Sequence, residues 1–295
     1  MSIKAFISYI ALEKKQSPLT VKAYGTDLKN FATFCLKNFE LKNIEQVSYA
    51  EIRSWIVYLV EHNNSNSSIN RKLSTLQSYY KFLLKTKTIH VNPLSKHKPL
   101  KKVKKIQVPF SKKEIKEVID NLNGLDDFIS VRDKLIIEMF YATGIRRSEL
   151  INLKLKDVDL NNKTIKVLGK RNKERYIPLL NFVTKSIKNY LIKKEVIKSD
   201  SEYLFITSKG KKIYDSLVYR VIKNYFSGVS LKVKKSPHII RHSFATQLLN
   251  EGADLNAIKE LLGHASLAST QIYASSSLSK LKKVYNQAHP RGAKN

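Results

Sequence analysis

Acidic side chains are scarce in this chain of 295 residues: 24 Asp and Glu face 54 Lys and Arg, a formal charge of +30 at neutral pH. That deficit argues against a small, neutral substrate and points to a polyanionic partner. Cysteine is nearly missing. Cys35 stands alone, which excludes an internal disulfide framework and a cysteine-based metal cluster and suits a reducing cytosol. No apolar run reaches the roughly 18 residues that a membrane span needs. The N-terminal MSIKAFISYIALEKK has its apolar run broken by charge and lacks a small-residue cleavage pattern, so it reads as a first helix. Internal repeats and metal motifs of the HExxH or CxxC kind are also lacking.

What is present is enough apolar residue to build a core, 42 % of the chain. The excess charge is therefore not a mark of disorder. It is spread along the sequence, with a balance of +13 over residues 1–110 and +17 over residues 111–295, which a single basic tail would not produce. The densest run, KHKPLKKVKK, holds Lys96, Lys98, Lys101, Lys102, Lys104 and Lys105, and Pro93, Pro99 and Pro109 punctuate it. It reads as an interdomain linker over residues 96–109, kept extended by mutual repulsion that a phosphate backbone would relieve. A solvated basic linker without a partner accounts for this segment too.

The first 90 residues read as four helices. Val21, Tyr24, Leu28, Phe31 and Cys35 recur at intervals of three and four, with Thr20 as a cap. Ser48 and Glu51 form a capping box ahead of Ile52, Trp55, Ile56 and Leu59. After a turn over Asn63–Ser67, Ile69, Leu73, Leu76, Tyr80 and Leu83 make the fourth stripe, with Arg71, Lys72, Lys81 and Lys85 off it. That charged face is either plainly solvated or set against nucleic acid.

Ser111 and Glu114 open a second domain with another capping box. VRDKLIIEMFYATG is expected to be an amphipathic helix ended at Gly144, and TIKVL with RYIPL a hairpin whose tip, GKRNKE, is exposed and basic. YLFI offers one more strand. From Asp215 the pattern is helical through HIIRHS and on to Tyr273, and the tail after Ala288 has no periodicity and is expected to move unless a partner holds it.

Several residues could carry chemistry. Pro237 favours a helix start, and the spacing of three between His238 and Arg241 puts two cationic donors on one face, where an anion would relieve their repulsion. A structural pairing serves them equally well, and His242 is read as packed or capping. Arg146 and Glu149 share a side of the next box, so the carboxylate can fix the guanidinium fork; an ordinary surface pair remains open. Arg147 lies about a hundred degrees round and is read as solvated. Gly169 and Lys170 open the hairpin tip, where Arg171, Lys173 and Arg175 could anchor phosphates. His264 and Tyr273, on one unbroken helix, would be roughly two and a half turns apart and on opposite faces. Ser266, Ser269 and Thr270 offer caps that could break that helix. Spacing alone does not single out Tyr273 among 15 tyrosines.

The ordered boxes do. YATGIRRSEL, VLGKRNKERYIPL, HIIRHSFAT, LLGH and QIY, behind SPLTVKAYGTDLKNF and NRKLSTLQSYYKFL, resemble the tyrosine recombinases of the lambda-integrase class, most closely the bacterial Xer-type members, nearly end to end. The resemblance implies a mainly α protein: a four-helix, SAM-like core-binding domain over residues 1–95, the linker, and a mixed α+β catalytic domain with a small antiparallel sheet over residues 110–295. It marks Arg146, Lys170, His238, Arg241, His264 and Tyr273 as catalytic, with Glu149 in support. Arg71, Lys72, Lys101, Lys102, Lys104, Lys105, Arg171, Lys173 and Arg175 are DNA-binding candidates. No cofactor and no metal are expected.

The activity implied is site-specific recombination by cleavage and rejoining of DNA through a covalent 3′-phosphotyrosine and a Holliday junction, serving the resolution of chromosome or plasmid dimers. The implied partners are a double-stranded DNA site, further recombinase subunits in a homo- or heterotetramer on two duplexes, and a DNA translocase as an optional activator. No membrane is involved, and the expected location is the cytoplasm, at the nucleoid. LSKLKKVYNQAHPRGAKN, with Leu281 and Val284 as anchors, is the expected segment exchanged between subunits. An integrase or transposase-like recombinase of a phage or mobile element is the main rival. A type IB topoisomerase and a non-enzymatic architectural DNA-binding protein are further ones. Arg171 where the family has glycine, Ser275 where many relatives have histidine, and the extra basic Arg147 are the departures noted.

Overall fold

The computed structural model describes residues 2–101, 108–169, 174–232, 234–263, 285, 289 and 291. Contacts divide the chain into two compact units, Met1–Lys105 and Ile106–Asn295, each with its own hydrophobic core. Among the described residues no helix is long and apolar enough to cross a membrane.

The first unit is helical. Helix α1 (Ser2–Ser8) runs into a π-helical turn at Tyr9–Glu13 and is followed by α2 (Pro18–Phe39), α3 (Tyr49–Glu61) and α4 (Asn66–Lys85). Helix α2 starts three residues earlier than a cap at Thr20 suggests. Ser17 caps it and accepts from the Thr20 amide at 3.2 Å, with Pro18 preset in the first turn. The Ser48–Glu51 capping box forms at α3 as expected. The apolar stripes converge on Leu28, Phe31, Trp55, Leu76 and Tyr80, all fully buried, and Cys35 lies among them. Burial pushes the Cys35 thiol up to about 12, so this cysteine is an inert packing group.

The charged face of α4 departs from expectation. Arg71 donates both guanidinium branches to Asp27 of α2, at 2.6 and 2.8 Å, Thr75 Oγ1 donates to the same carboxylate at 2.9 Å, and Lys72 Nζ stands 3.5 Å away. Asp27 is 1 % exposed. Arg71 and Lys72, expected on a free basic face, are thus tied to a buried acid that a sequence stripe does not reveal. Residues 96–101 also differ from an extended, self-repelling linker. Asn70 pairs through its carboxamide with both backbone groups of Leu100, at 2.8 and 2.9 Å, and Asn66 Nδ2 donates to the Lys101 carbonyl at 2.8 Å. These bonds hold the start of the basic run on the first unit. Lys102, Lys104 and Lys105 lie outside the described residues.

In the second unit the order is α5 (Lys112–Asn121), α6 (Phe128–Thr143), α7 (Arg147–Asn152), β1 (Val158–Asp159), β2 (Thr164–Leu168), β3 (Glu174–Pro178), α8 (Asn181–Glu195), α9 (Asp215–Ser227), α10 (Pro237–Asn250) and α11 (Leu255–Leu262). The sheet is antiparallel in the order β1-β2-β3, with Ile165 opposite both Val158 and Ile177 and Val167 opposite Arg175. YLFI is not a strand of it. Tyr203 and Ile206 make isolated bridges to Lys154 and Lys212, and the third strand is the short Val158–Asp159.

Helix α6 is not amphipathic. Every residue from Val131 to Thr143 except Lys134 is buried, and even its charges are internal: Arg132 donates to Asp133 at 2.7 and 2.9 Å. It is the central helix of the unit, which is why its pattern shows no polar face. The end of the chain differs too. Tyr285 and His289 are buried, with the Tyr285 hydroxyl donating to the Ala142 carbonyl and His289 Nε2 3.3 Å from that of Tyr141. A described part of the tail after Ala288 therefore packs on α6 of its own chain. Leu281 and Val284 lie outside the described residues.

Two outcomes test this account. Asp27→Ala leaves the Arg71 and Lys72 cations without their shared acid and should lower stability by about 2 kcal/mol in chemical denaturation, since hydrogen bonds to charged groups contribute most when one partner is desolvated. Glu114, which caps α5, meets Lys232. Burial pushes its carboxyl up, and bonds from Lys232, Ser230 and Ser111 outweigh that and bring it down to about 2. A depressed carboxylate stabilises the fold above its unfolded value and loses that contribution as pH falls from about 4.5 through about 2. The Tm advantage of the wild type over Glu114→Gln should therefore shrink across this window.

Candidate active site

Helix α6 ends at Gly144, whose positive φ of 57° closes the last turn, and Ile145 packs into the core behind it. The next residue, Arg146, is the N-cap of α7. Its amide donates to Glu149 Oε2 at 2.9 Å and its guanidinium to Oε1 at 2.7 Å. The YATGIRRSEL box therefore folds as a helix stop, a tight corner and a helix start. Glu149 is held inside while the Arg146 side chain stays 27 % exposed.

A second arginine reaches the same carboxylate. Arg175 of β3 meets Glu149 in fork-to-fork fashion, at 2.7 and 2.9 Å, and its Nε donates to the Leu261 carbonyl at 3.2 Å. Arg241, on α10, donates to the Gly144 carbonyl and, at 2.6 Å, to that of Leu262. Arg146 adds a bond of 2.7 Å to the Gly263 carbonyl. Three guanidiniums thus share three successive carbonyls, Leu261, Leu262 and Gly263, at the C-terminal end of α11. There the orphan acceptors and the negative end of the helix dipole favour cations.

The electrostatics follow from this crowding. Burial pushes the Glu149 carboxyl up, but Arg175 and Arg146 outweigh it and hold the group below the usual carboxylate range. Burial, helped by Arg146 and Arg175, brings Arg241 down to about 10, still protonated at neutral pH. Three guanidiniums against one carboxylate leave an excess of positive charge among neutral carbonyls. Such a site is built for an anion with several acceptor oxygens.

His238 stands one turn before Arg241 on α10, behind Pro237 in the first turn, and is exposed. Partial desolvation, with Arg241, Lys234 and His242 nearby, holds its imidazole below the usual value, so the neutral form dominates near pH 7. His242 is exposed rather than packed or capping. Besides Arg241, the buried polar residue of that box is Ser243, which accepts from the Phe110 amide at 2.7 Å and donates to the Ile239 carbonyl at 2.9 Å. It seats α10 on the first residues of the unit. Arg147 is not solvated alone: its Nε lies 2.7 Å from Asp215 of α9.

Of the residues singled out from the sequence, the structure brings together Arg146, Glu149 and Arg241, with His238 a turn away. Arg175, expected to anchor phosphate, is instead spent on Glu149 and Leu261, its side chain only 12 % exposed. Lys170, Arg171, Lys173, His264 and Tyr273 lie outside the described residues. What sequence reasoning missed is the row of backbone carbonyls that orients the arginines. Its only trace was the glycines at 144 and 263, each closing a helix with positive φ.

Comparison with known proteins agrees with this architecture. Residues 109–280 match the Phage integrase family, and residues 3–87 match the N-terminal SAM-like domain of phage integrases. The chain is 38 % identical to tyrosine recombinase XerC of Halalkalibacterium halodurans, over 98 % of this chain and 97 % of the relative. It is 39 % identical to the XerC of Oceanobacillus iheyensis, over 98 % and 96 %. Its fold is that of the XerH site-specific recombinase in a post-cleavage complex with a palindromic difH substrate, with a TM-score of 0.71 at 22 % identity over 92 % of this chain and 77 % of that one. The chain belongs to the phage integrase family: it is a tyrosine recombinase, an enzyme of site-specific DNA recombination.

Gly144 gives a direct test of how the arginines are held. A Cβ there would lie 2.5 Å from Phe244 Cδ1 and 2.9 Å from Leu262 Cδ2, in a backbone conformation that side chains resist. Gly144→Ala should destabilise the protein by about 2–4 kcal/mol in thermal or chemical denaturation. Because the same residue's carbonyl holds Arg241, DNA cleavage should fall further than the folded fraction does.

Proposed function

We propose that this chain acts as an Xer-type recombinase that cleaves and rejoins double-stranded DNA at a specific site, with Arg146, Lys170, His238, Arg241, His264 and Tyr273 as its catalytic residues. The observation that carries the proposal is the convergence of Arg146, which bonds both Glu149 and the Gly263 carbonyl, with Arg241, held by carbonyls alone, so that three guanidiniums including Arg175 face a single carboxylate. A phosphodiester gains negative charge as it becomes five-coordinate, and rigidly held guanidiniums meet that charge without reorganising. Losing either clamp should cost on the order of 3 kcal/mol in the transition state.

In this reading Tyr273 Oη attacks the scissile phosphorus. The new bond joins phosphorus to the tyrosyl oxygen, and the bond to the 5′ oxygen breaks. The phenolic proton passes toward neutral His238, and Lys170 gives a proton to the departing 5′ oxygen. His264 donates to the phosphate oxygens beside the arginines. The 3′-phosphotyrosine conserves the energy of the broken bond, so attack by a 5′-hydroxyl of a second duplex reverses the chemistry and yields a Holliday junction without an external energy source.

The basic residues on both units suit phosphate contacts that fix register without reading sequence. Lys101, exposed at the end of the described linker, and Lys102, Lys104, Lys105, Arg171 and Lys173 are proposed contacts, with the half-exposed Arg71 a weaker one because Asp27 already holds it. The boundaries at residues 95 and 110, assembly of four subunits on two duplexes, resolution of chromosome or plasmid dimers, activation by a translocase and action in the cytoplasm at the nucleoid belong to the same proposal. The near full-length likeness to XerC proteins supports it.

A nicked suicide duplex tests the chemistry. Tyr273→Phe should bind the duplex as the wild type does and form no covalent adduct on a denaturing gel. An adduct formed by that variant would overturn the assignment.

A further inference from the structure

The described part of the β2–β3 hairpin, whose connecting sequence carries Lys170, is weakly supported away from its base. Strand β1 covers only the base of β2, at Thr164 and Ile165. Toward the tip, Leu168 and Tyr176 are 54 % and 53 % exposed, and the Lys166–Glu174 ion pair lies at the surface. A two-stranded ribbon of this kind is marginal by itself. Arg175, second residue of β3 and paired with Val167, fastens it: the guanidinium fork grips both oxygens of Glu149 on α7, and Nε grips Leu261 on α11. The fit is close. Gly263 has φ +63°, and a Cβ there would come within 3.1 Å of Arg175 Cδ, Cζ and Nε.

We infer that Arg175 is a positioning residue for proton delivery to the leaving group, fixing the Lys170 hairpin against the Glu149 carboxylate and the end of α11. The inference rests on the reading that Lys170 protonates the 5′ oxygen. Three elements meet at this one side chain: the strand leading from Lys170, the helix that orients Arg146, and the helix that precedes His264. Misplacing a proton donor by a fraction of an ångström lowers its effective concentration steeply. Lysine in place of Arg175 keeps the charge but cannot span two carboxylate oxygens and a carbonyl with a planar fork.

A second physical role has to be separated from this one. Arg175 also offsets the Glu149 charge, and losing it would weaken the field at the phosphate whatever happens at the hairpin. Replacing the bridging 5′ oxygen of the scissile phosphate by sulfur distinguishes the two. Sulfur departs as a thiolate and needs no proton, so a defect in proton delivery disappears while a defect in phosphate stabilisation persists.

The experiment measures single-turnover cleavage by the full chain of nicked duplexes carrying oxygen or sulfur at that position, for wild type, Lys170→Ala, Arg175→Lys and Arg175→Gln. Each variant is read as its own ratio of sulfur to oxygen rates, which cancels any loss of folded protein. Lys170→Ala should lose about a hundredfold or more on oxygen and both Arg175 variants about tenfold, with all three returning to within a few-fold of wild type on sulfur. Arg175 variants that lose the same factor on both substrates, or that cleave the oxygen duplex at the wild-type rate, overturn the positioning role. If Lys170→Ala stays impaired on sulfur, the assignment of Lys170 to the leaving group is what fails, and the positioning role falls with it.

Discussion

The active half of this protein is organised by a buried carboxylate. Glu149, 5 % exposed, takes bonds from the Arg146 amide, the Arg146 guanidinium and both branches of Arg175. A charge placed there alone would be prohibitively unfavourable, so the site exists only with the arginines in position. The dependence is mutual. Arg146 and Arg175 repel each other and Arg241, and the shared acid together with the carbonyls at the end of α11 makes their convergence stable. Helix starts, strand register and helix ends are thereby coupled at a single point, which fixes how the arginine boxes, far apart in sequence, stand to one another.

Backbone carbonyls suit this task better than further carboxylates. A carboxylate opposite every arginine would cancel the field that a phosphate must feel. A carbonyl orients a guanidinium through a directional bond and leaves its formal charge intact. Arg241, bonded to the Gly144 and Leu262 carbonyls, is the clearest instance: it is 7 % exposed yet has no carboxylate of its own among the described residues. The first unit solves the opposite problem with Asp27, which collects Arg71 and Lys72 and removes much of their charge from the surface. Two buried acids therefore do different work, one joining helices of a bundle and the other aiming cations at a site.

Much of this was legible in the sequence. The capping boxes at Ser48 and Ser111, the stripes of α3 and α4, the stop at Gly144 and the hairpin of β2 and β3 depend on local spacing, and local spacing is what a sequence displays. The misreadings share a physical origin in contacts between residues distant in the chain. YLFI is apolar because Leu204 and Phe205 fill the core, and no strand partner is needed to account for it. Arg71, Arg147 and Arg175 looked like free surface cations because their acids, Asp27, Asp215 and Glu149, are 44, 68 and 26 positions away. Helix α6 looked two-faced because Arg132, Asp133 and Glu138 are polar, whereas the fold buries all three.

The basic excess of +30 takes on a more specific meaning in this light. Charge that is paired, like that of Arg71 and Arg175, shapes the protein. Charge that is held but uncancelled, like that of Arg241, or only partly offset, like that of Arg146, suits a site for an anion. A count of lysines and arginines cannot separate these groups, and the distinguishing quantity is the nature of the acceptor. A carboxylate acceptor offsets the cation's charge, whereas carbonyl acceptors, the ones Arg241 has, leave it in place; Arg146 bonds one of each and shares its acid with Arg175. By that criterion the site keeps its excess positive charge because the end of α11, rather than a further Asp or Glu, lies beneath Arg241 and Arg146.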